Sequence, residues 1–308
     1  MEIALQFVLL ALGFVMLGKG ADWFVEGAAG IAMRFGIPQL VIGLTIVAMG
    51  TSAPEAAVSI AAAVKGNADI TIGNIVGSNI LNILVILGLA ASIVPIAVAR
   101  STVRIEIPFM IAVTALLFYQ GRDGSISLAD GGVLMVAFAA YMMYLYTMAM
   151  KSNVDSDLEE PGLPLGRCLL GAVGGLALII AGSNVTVGAA TSIATYAGLS
   201  ERFIGLTIVA LGTSLPELFT SVAAARRGNA DIAIGNIVGS NIFNILFVVG
   251  LSSLIIDIPF ASAFNFDTYV AIAAAVLLWL CVLRTQRLQR WAGALMLVCY
   301  VAYLGYIL

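Results

Sequence analysis

Two glutamates, Glu55 and Glu217, lie inside long apolar runs that carry no lysine or arginine near them. Each closes the motif Gly-Thr-Ser-x-Pro-Glu. In the apolar run that follows, each is answered by Gly-Ser-Asn-Ile-x-Asn, which ends at Asn82 or Asn244. Positions 55 and 217 differ by 162, and so do 82 and 244; the stretch from Gly43 to Leu89 returns without a gap from Gly205 to Leu251. A carboxylate in the middle of a bilayer costs on the order of 3 kcal/mol or more, and two close together repel. With no basic side chain nearby, their natural counter-charge is a bound cation.

The neighbouring residues can complete such a site. Proline has no N–H and crowds the carbonyl four residues back, so Pro54 bares the carbonyl of Gly50, and Pro216 that of Gly212. The two helices should break there, freeing carbonyls around Ala48 to Thr51 and at the matching positions. In lipid such carbonyls need protein, water or an ion as partner. Thr51 lies four residues before Glu55 on the same helix face, with Ser52 in the broken turn; Thr213, Ser214 and Glu217 repeat the arrangement. The next runs add Asn74, Ser78 and Asn82, and Asn236, Ser240 and Asn244, each set spaced four apart. For Asn74, Asn79, Asn236 and Asn241, plain helix-to-helix hydrogen bonding is an equal reading. All these donors are hard oxygens. Two glutamates, two asparagine amides and freed carbonyls near Thr51 and Thr213 reach the six to eight oxygens that suit calcium, while hydroxyls beside carbonyls also suit sodium. Zinc, copper and iron favour nitrogen or sulfur ligands, which the motifs lack.

These residues must be held by membrane helices. The 308 residues are 61 % hydrophobic and 10 % charged, with mean hydropathy +1.08, against about 25 % charged in soluble domains. Ten spans are expected, near 3–30, 38–64, 70–95, 103–120, 128–149, 166–197, 202–225, 232–255, 267–284 and 290–307. Five precede a polar linker, 151–164, and five follow it. The expected fold is therefore all-α, a first five-helix repeat in 1–150 and a second, inverted one in 165–308, with broken helices at the ion site. The charges agree with inversion. With the N-terminus outside, Arg34, Arg100, Arg104, Lys151, Arg167, Arg226, Arg227, Arg284, Arg287 and Arg290 fall in cytoplasmic loops, and Lys65, Arg122 and Arg202 outside. That positive-inside bias places both termini outside a plasma (inner) membrane. There is no histidine, and the three cysteines stand alone. No cleavable signal is evident in the first run.

At these motifs the chain resembles a sodium/calcium exchanger of the cation/calcium exchanger superfamily, closest to its compact prokaryotic members, over nearly its whole length. The resemblance implies that Glu55 and Glu217 are shared calcium and sodium ligands, that Thr51 and Thr213 coordinate mainly through their backbone carbonyls, and that Asn82 and Asn244 complete the central ring. It implies flanking sodium sites built from Ser52, Ser78, Ser214 and Ser240 with the carbonyls of Ala48 and Ala210, and a first and sixth span that slide to alternate access. Position 244 is Asn where potassium-dependent relatives usually carry an acidic residue, which argues against potassium transport. The implied function is electrogenic, potassium-independent antiport of sodium against calcium. It needs no cofactor, no enzymatic step and no nucleic acid, only the two ions and the bilayer, and a monomer suffices.

Three other readings compete. A proton/calcium exchanger of the same superfamily usually carries its glutamate in a Gly-Asn-x-x-Glu context, which these motifs do not. An intramembrane hydrolase using Glu55 and Glu217 as acid and base lacks an oxyanion hole in the sequence, and a channel does not call for inverted repeats. Elsewhere, Lys19, Asp22 and Glu26 in the first span are expected to pair with one another, or to line an ion vestibule. Asp69 and Asp231 are expected to cap the third and eighth spans.

Overall fold

In lipid every backbone polar group must find its partner within the protein, so a chain of apolar runs this long folds as helices. The structure is a computed structural model that describes residues 2–66, 68–151, 163–198 and 210–307. Its helices are α1 (Glu2–Arg34), α2 (Gln39–Thr51), α3 (Ala53–Val64), α4 (Ile70–Ile93), α5 (Thr102–Asp123), α6 (Leu128–Lys151), α7 (Leu165–Tyr196), α8 (Ala210–Thr213), α9 (Leu215–Arg226), α10 (Ala230–Ile255), α11 (Ala263–Leu283) and α12 (Arg290–Ile307). Among the described residues, 8 helices are long and apolar enough to cross a membrane, and α2 with α3 makes one further span bent by 51°. Of the seventh expected span only α8 and α9 are described. Most of the linker, 152–162, lies outside the described residues.

The layering follows polarity. α10 is buried over 94 % of its apolar window and α4 over 78 %, whereas α1, α6 and α12 reach 17 %. The two central helices are thus those that carry the Gly-Ser-Asn-Ile-x-Asn motifs. Each contains a π-helical turn beginning at the motif's last asparagine, Asn82–Leu87 in α4 and Asn244–Val249 in α10. Such turns are rare and recur at functional sites.

Two short antiparallel ribbons tie loops of the first half to loops of the second. Ile96 pairs with Leu288, and Ile126 with Ile258. The 162-residue offset carries each ribbon's partners onto the other's.

α1 and α7 pack backbone to backbone through glycines, the small-residue seam by which membrane helices approach closely. A Cβ on Gly175 would lie 2.5 Å from the Phe24 nitrogen and 2.7 Å from the Gly20 carbonyl oxygen, while one on Gly174 meets nothing within 4 Å. Gly175→Ala should therefore lower thermal stability in detergent by about 1–3 kcal/mol through overpacking. Gly174→Ala should hold it or raise it by up to about 1 kcal/mol, since alanine favours helix. Equal melting of the two variants would refute the seam.

Two surface expectations change. Asp22 and Glu26 do not pair with Lys19; both meet Arg227, at 3.2 and 3.1 Å, because α1 runs beside the end of α9. Asp231 is not the cap of α10. The cap position is Asn229, and Asp231 sits in the first turn, where its charge faces the positive end of the helix dipole. Asp69 is likewise not the cap; that position is Ala68.

Candidate cation site

The proline breaks position the carboxylates. α2 ends at Thr51, Ser52 leaves helical geometry, and α3 starts with Pro54 in its first turn and Glu55 beside it. α8, Ser214 and α9 repeat this with Pro216 and Glu217. Proline suits a helix start. Each break also creates a new N-terminus whose dipole favours the carboxylate placed there. Glu55 and Glu217 are 1 % and 0 % exposed.

The two halves cross-link at the breaks. The Ser52 hydroxyl donates to Glu217 Oε1 at 2.9 Å, and the Ser214 hydroxyl to Glu55 Oε1 at 3.2 Å. Thr213 also interacts with the Glu55 carboxylate. The other oxygens, Glu55 Oε2 and Glu217 Oε2, are buried and accept no hydrogen bond from a described residue. The same holds for Asn82 Oδ1 and Asn244 Oδ1. The four central residues of the sequence expectation thus each keep one unsatisfied buried oxygen. A polar atom left so is expensive.

The amide orientation is forced. Asn241 Nδ2 donates to the Asn79 backbone carbonyl at 3.1 Å, so its Oδ1 faces α4 and accepts from Asn82 Nδ2 at 2.9 Å. The mirror set runs from Asn79 Nδ2 to the Asn241 carbonyl at 3.1 Å, and from Asn244 Nδ2 to Asn79 Oδ1 at 3.1 Å. A carbonyl can only accept, so the chain leaves Asn82 and Asn244 no choice but to turn their oxygens away from one another's helix. Asn79 and Asn241 are therefore the helix-to-helix ties that one reading of the sequence proposed. Asn74 and Asn236 also take up structural bonds. Asn74 Nδ2 holds the Glu55 carbonyl at 3.3 Å and Ser59 Oγ at 2.9 Å; Asn236 Nδ2 holds the Glu217 carbonyl at 3.4 Å and Ser221 Oγ at 2.9 Å. Asn236 Oδ1 accepts from the Thr51 hydroxyl at 2.9 Å, which leaves the Thr51 side chain engaged. Ser59 and Ser221, both fully buried, escaped the sequence reading. Their position four residues after each glutamate was the signal.

The carbonyls expected to be free are partly occupied. The Ala48 carbonyl accepts from the Ser52 amide at 3.0 Å and from the Ser240 hydroxyl at 3.3 Å, since the bend falls at Ser52 rather than earlier. The Gly212 carbonyl, bared by Pro216, accepts from the Ser183 hydroxyl of α7 at 2.7 Å. Ser78 and Ser240 are both buried; α8 begins at Ala210. Chemically, the centre offers two carboxylates and two amide oxygens buried in the protein interior. Among the described residues no basic side chain pairs with them, the ion pairs being those of Arg227.

The family model described as sodium/calcium exchanger protein matches residues 5–147 and 168–308. A protein of Alkalimonas amylolytica named putative antiporter CaxA is 41 % identical, over 98 % of this chain and 98 % of its own. The sodium/calcium exchanger MaX1 of Methanosarcina acetivorans is 34 % identical, again over 98 % of both chains. A solved structure of the sodium-calcium exchanger NCX_Mj, soaked with zero Na+ and Ca2+, superimposes with a TM-score of 0.87 at 33 % identity, covering 99 % of this chain and 100 % of that one.

Proposed function

This chain belongs to the sodium/calcium exchanger protein family, a multi-pass helical membrane protein and a cation/calcium antiporter rather than an enzyme, and on that premise we propose that it exchanges sodium for calcium by alternating access, electrogenically and without potassium. The observation that carries the reading is four buried oxygens, one each on Glu55, Glu217, Asn82 and Asn244, that accept no hydrogen bond from a described residue. One calcium ion would neutralise both carboxylates and be held by all four residues, with carbonyls of Thr51 and Thr213 filling its shell. Sodium would use the same carboxylates and the flanking hydroxyl and carbonyl oxygens: Ser240 with Ala48, Ser78 with Ala210, and Ser52 and Ser214 beside the glutamates. The Ser240 hydroxyl already lies 3.3 Å from the Ala48 carbonyl oxygen, close enough for both to share one ion.

We further propose ten spans in two inverted repeats, 1–150 and 165–308, joined by the cytoplasmic linker 151–164. The reciprocal asparagine bonds between α4 and α10 and the two offset-related ribbons support a two-fold relation between the halves. α1 and α7, joined by their glycine seam, are the pair placed to slide together. The experiment for the whole reading is calcium uptake into proteoliposomes loaded with sodium. Uptake should require an outward sodium gradient, and a proton gradient alone should not replace it. Proton-driven uptake would select the proton/calcium alternative.

Orientation is a separate expectation. With the native cysteines replaced, Lys65→Cys should react with a membrane-impermeant thiol reagent added outside intact cells, and Arg284→Cys should not. Both positions are exposed, so each is reachable from its own side. The reverse pattern would invert the topology.

A further inference from the structure

The repeat carries a second pair of sites, away from the central ring. A groove of about 300 Å³ between α5 and α6 is lined by Glu106, Ala140, Tyr141 and Tyr144. A groove of about 400 Å³ between α11 and α12 is lined by Ala302, Tyr303 and Tyr306. The 162-residue offset carries Ala140, Tyr141 and Tyr144 onto Ala302, Tyr303 and Tyr306, so the grooves are repeats of each other. A carboxylate accepts from a tyrosine of each groove: Glu106, on the wall of the first, from the Tyr144 hydroxyl, and Asp267, beside the second and next to its lining residue Phe266, from the Tyr303 hydroxyl at 2.8 Å. The carboxylates are themselves offset by one position, since Ile105 corresponds to Asp267 and Glu106 to Thr268.

Both grooves open on the lipid-facing side of the bundle. Val136 and Met143 beside the first are 71 % and 62 % exposed, and Tyr306 and Phe266 at the second are 71 % and 40 % exposed. Both also lie near helix ends. Glu106 is the fifth residue of α5 and Asp267 the fifth of α11, about 6 Å along each axis, near the membrane interface, where tyrosine is enriched. Glu106 is fully buried, and its Oε2 accepts no hydrogen bond from a described residue; the Tyr141 hydroxyl on the same wall is also unpartnered. Among the described residues no lysine or arginine pairs with either carboxylate. An apolar wall, aromatic rings and a carboxylate lacking a cation fit an amphiphile whose polar end is a small ammonium group with N–H donors. Cation–π attraction to the rings would add to the ion pair.

We propose that these grooves are two repeat-related binding sites for phospholipids bearing a primary ammonium, the ethanolamine headgroup. The ammonium sits on Glu106 in one groove and on Asp267 at the edge of the other, with the acyl chains along the exposed helix faces. Under the inverted topology proposed above, the two sites face opposite leaflets; the headgroup preference itself does not rest on that topology or on the transported ions.

The probe is the purified full-length protein incubated with phosphatidylethanolamine, its N-methylated forms or phosphatidylcholine, with bound lipid counted by native mass spectrometry. Wild type should retain up to two ethanolamine lipids, and retention should fall as methyl groups replace N–H donors. Glu106→Gln should weaken one site roughly tenfold, as expected for loss of a charge-assisted hydrogen bond, and Glu106→Gln with Asp267→Asn should weaken both. Should the carboxamide variants fail to fold, Ala140→Leu and Ala302→Leu fill the grooves with the carboxylates intact, and each should remove one lipid. Equal retention of choline and ethanolamine lipids by wild type would overturn the proposal, as would unchanged retention in the carboxamide or groove-filling variants. Because calcium exchange can be assayed on the same preparations, loss of lipid with exchange intact separates this inference from the transport reading.

Discussion

Glu55→Gln and Glu217→Gln should each abolish sodium-driven calcium uptake, by at least about a hundredfold, while the protein still inserts and runs as a folded species. Glutamine keeps the shape and can still accept from Ser52 or Ser214, so the cross-links between halves survive. What is lost is one of two formal charges facing a divalent ion. Removing one member of a buried charge pair typically costs about 3–5 kcal/mol, which is more than a hundredfold in affinity. The apo protein should, if anything, gain stability, because a neutral amide replaces a buried carboxylate beside a second one. The combination is diagnostic: a purely structural role would lower stability and activity together. Ser59→Ala is the useful contrast. It removes a bond to Asn74 without touching the ring and should reduce transport far less. Near-normal uptake by either glutamate variant would end the site assignment.

The proposed central ring could be read from the sequence because its chemistry is costly in lipid. Two unpaired carboxylates in apolar runs have few explanations, and the shared offset tied Asn82 to Asn244 without any coordinates. The proline breaks followed from the missing N–H of Pro54 and Pro216. What the sequence could not reveal was the direction of each amide. Only the packing of α4 on α10 brings the backbone carbonyls of Asn79 and Asn241 into play, and these decide which atoms of Asn82 and Asn244 remain unsatisfied. The same limit applies to the bared carbonyls. Pro216 announces a bare carbonyl at Gly212, but that Ser183 of α7 reaches it depends on the packing of α7 against α8, where Gly212 lies against Val187. At the corresponding place in the first half, residue 21 is alanine, so this tie has no hydroxyl counterpart there. Of the two expectations for Lys19, Asp22 and Glu26, mutual pairing fails for a related reason. Spacing along α1 brings Lys19 within reach, but the fold brings the end of α9 closer, and Arg227, with its fork of donors, takes both carboxylates.

The second large effect concerns the membrane potential. The centre carries two formal negative charges, and one calcium neutralises both. The neutral oxygens around it, on Ser52, Ser78, Ser214, Ser240, Asn82 and Asn244, allow more than two sodium ions to be held across the same pair of carboxylates; three against one calcium would move one net charge per cycle. A charge crossing the membrane gains or loses about 2.3 kcal/mol per 100 mV. At a fixed sodium gradient, a shift from 0 to −100 mV should therefore change the calcium ratio reached at equilibrium by about fifty-fold, in the direction of calcium exit coupled to sodium entry. Potassium should act only through that potential, because position 244 is Asn where the resemblance places an acidic residue in potassium-dependent relatives. The amide is also locked: Asn244 Nδ2 is held by Asn79 Oδ1, so the side chain is not free to present a different face to a larger ion. The measurement is calcium flux in proteoliposomes with the potential clamped at several values by an ionophore other than one selective for potassium, with and without potassium on either side. A calcium ratio indifferent to potential would mean an electroneutral cycle. A requirement for potassium at fixed potential would mean that the ring of Glu55, Glu217, Asn82 and Asn244 holds another cation without a third acidic residue.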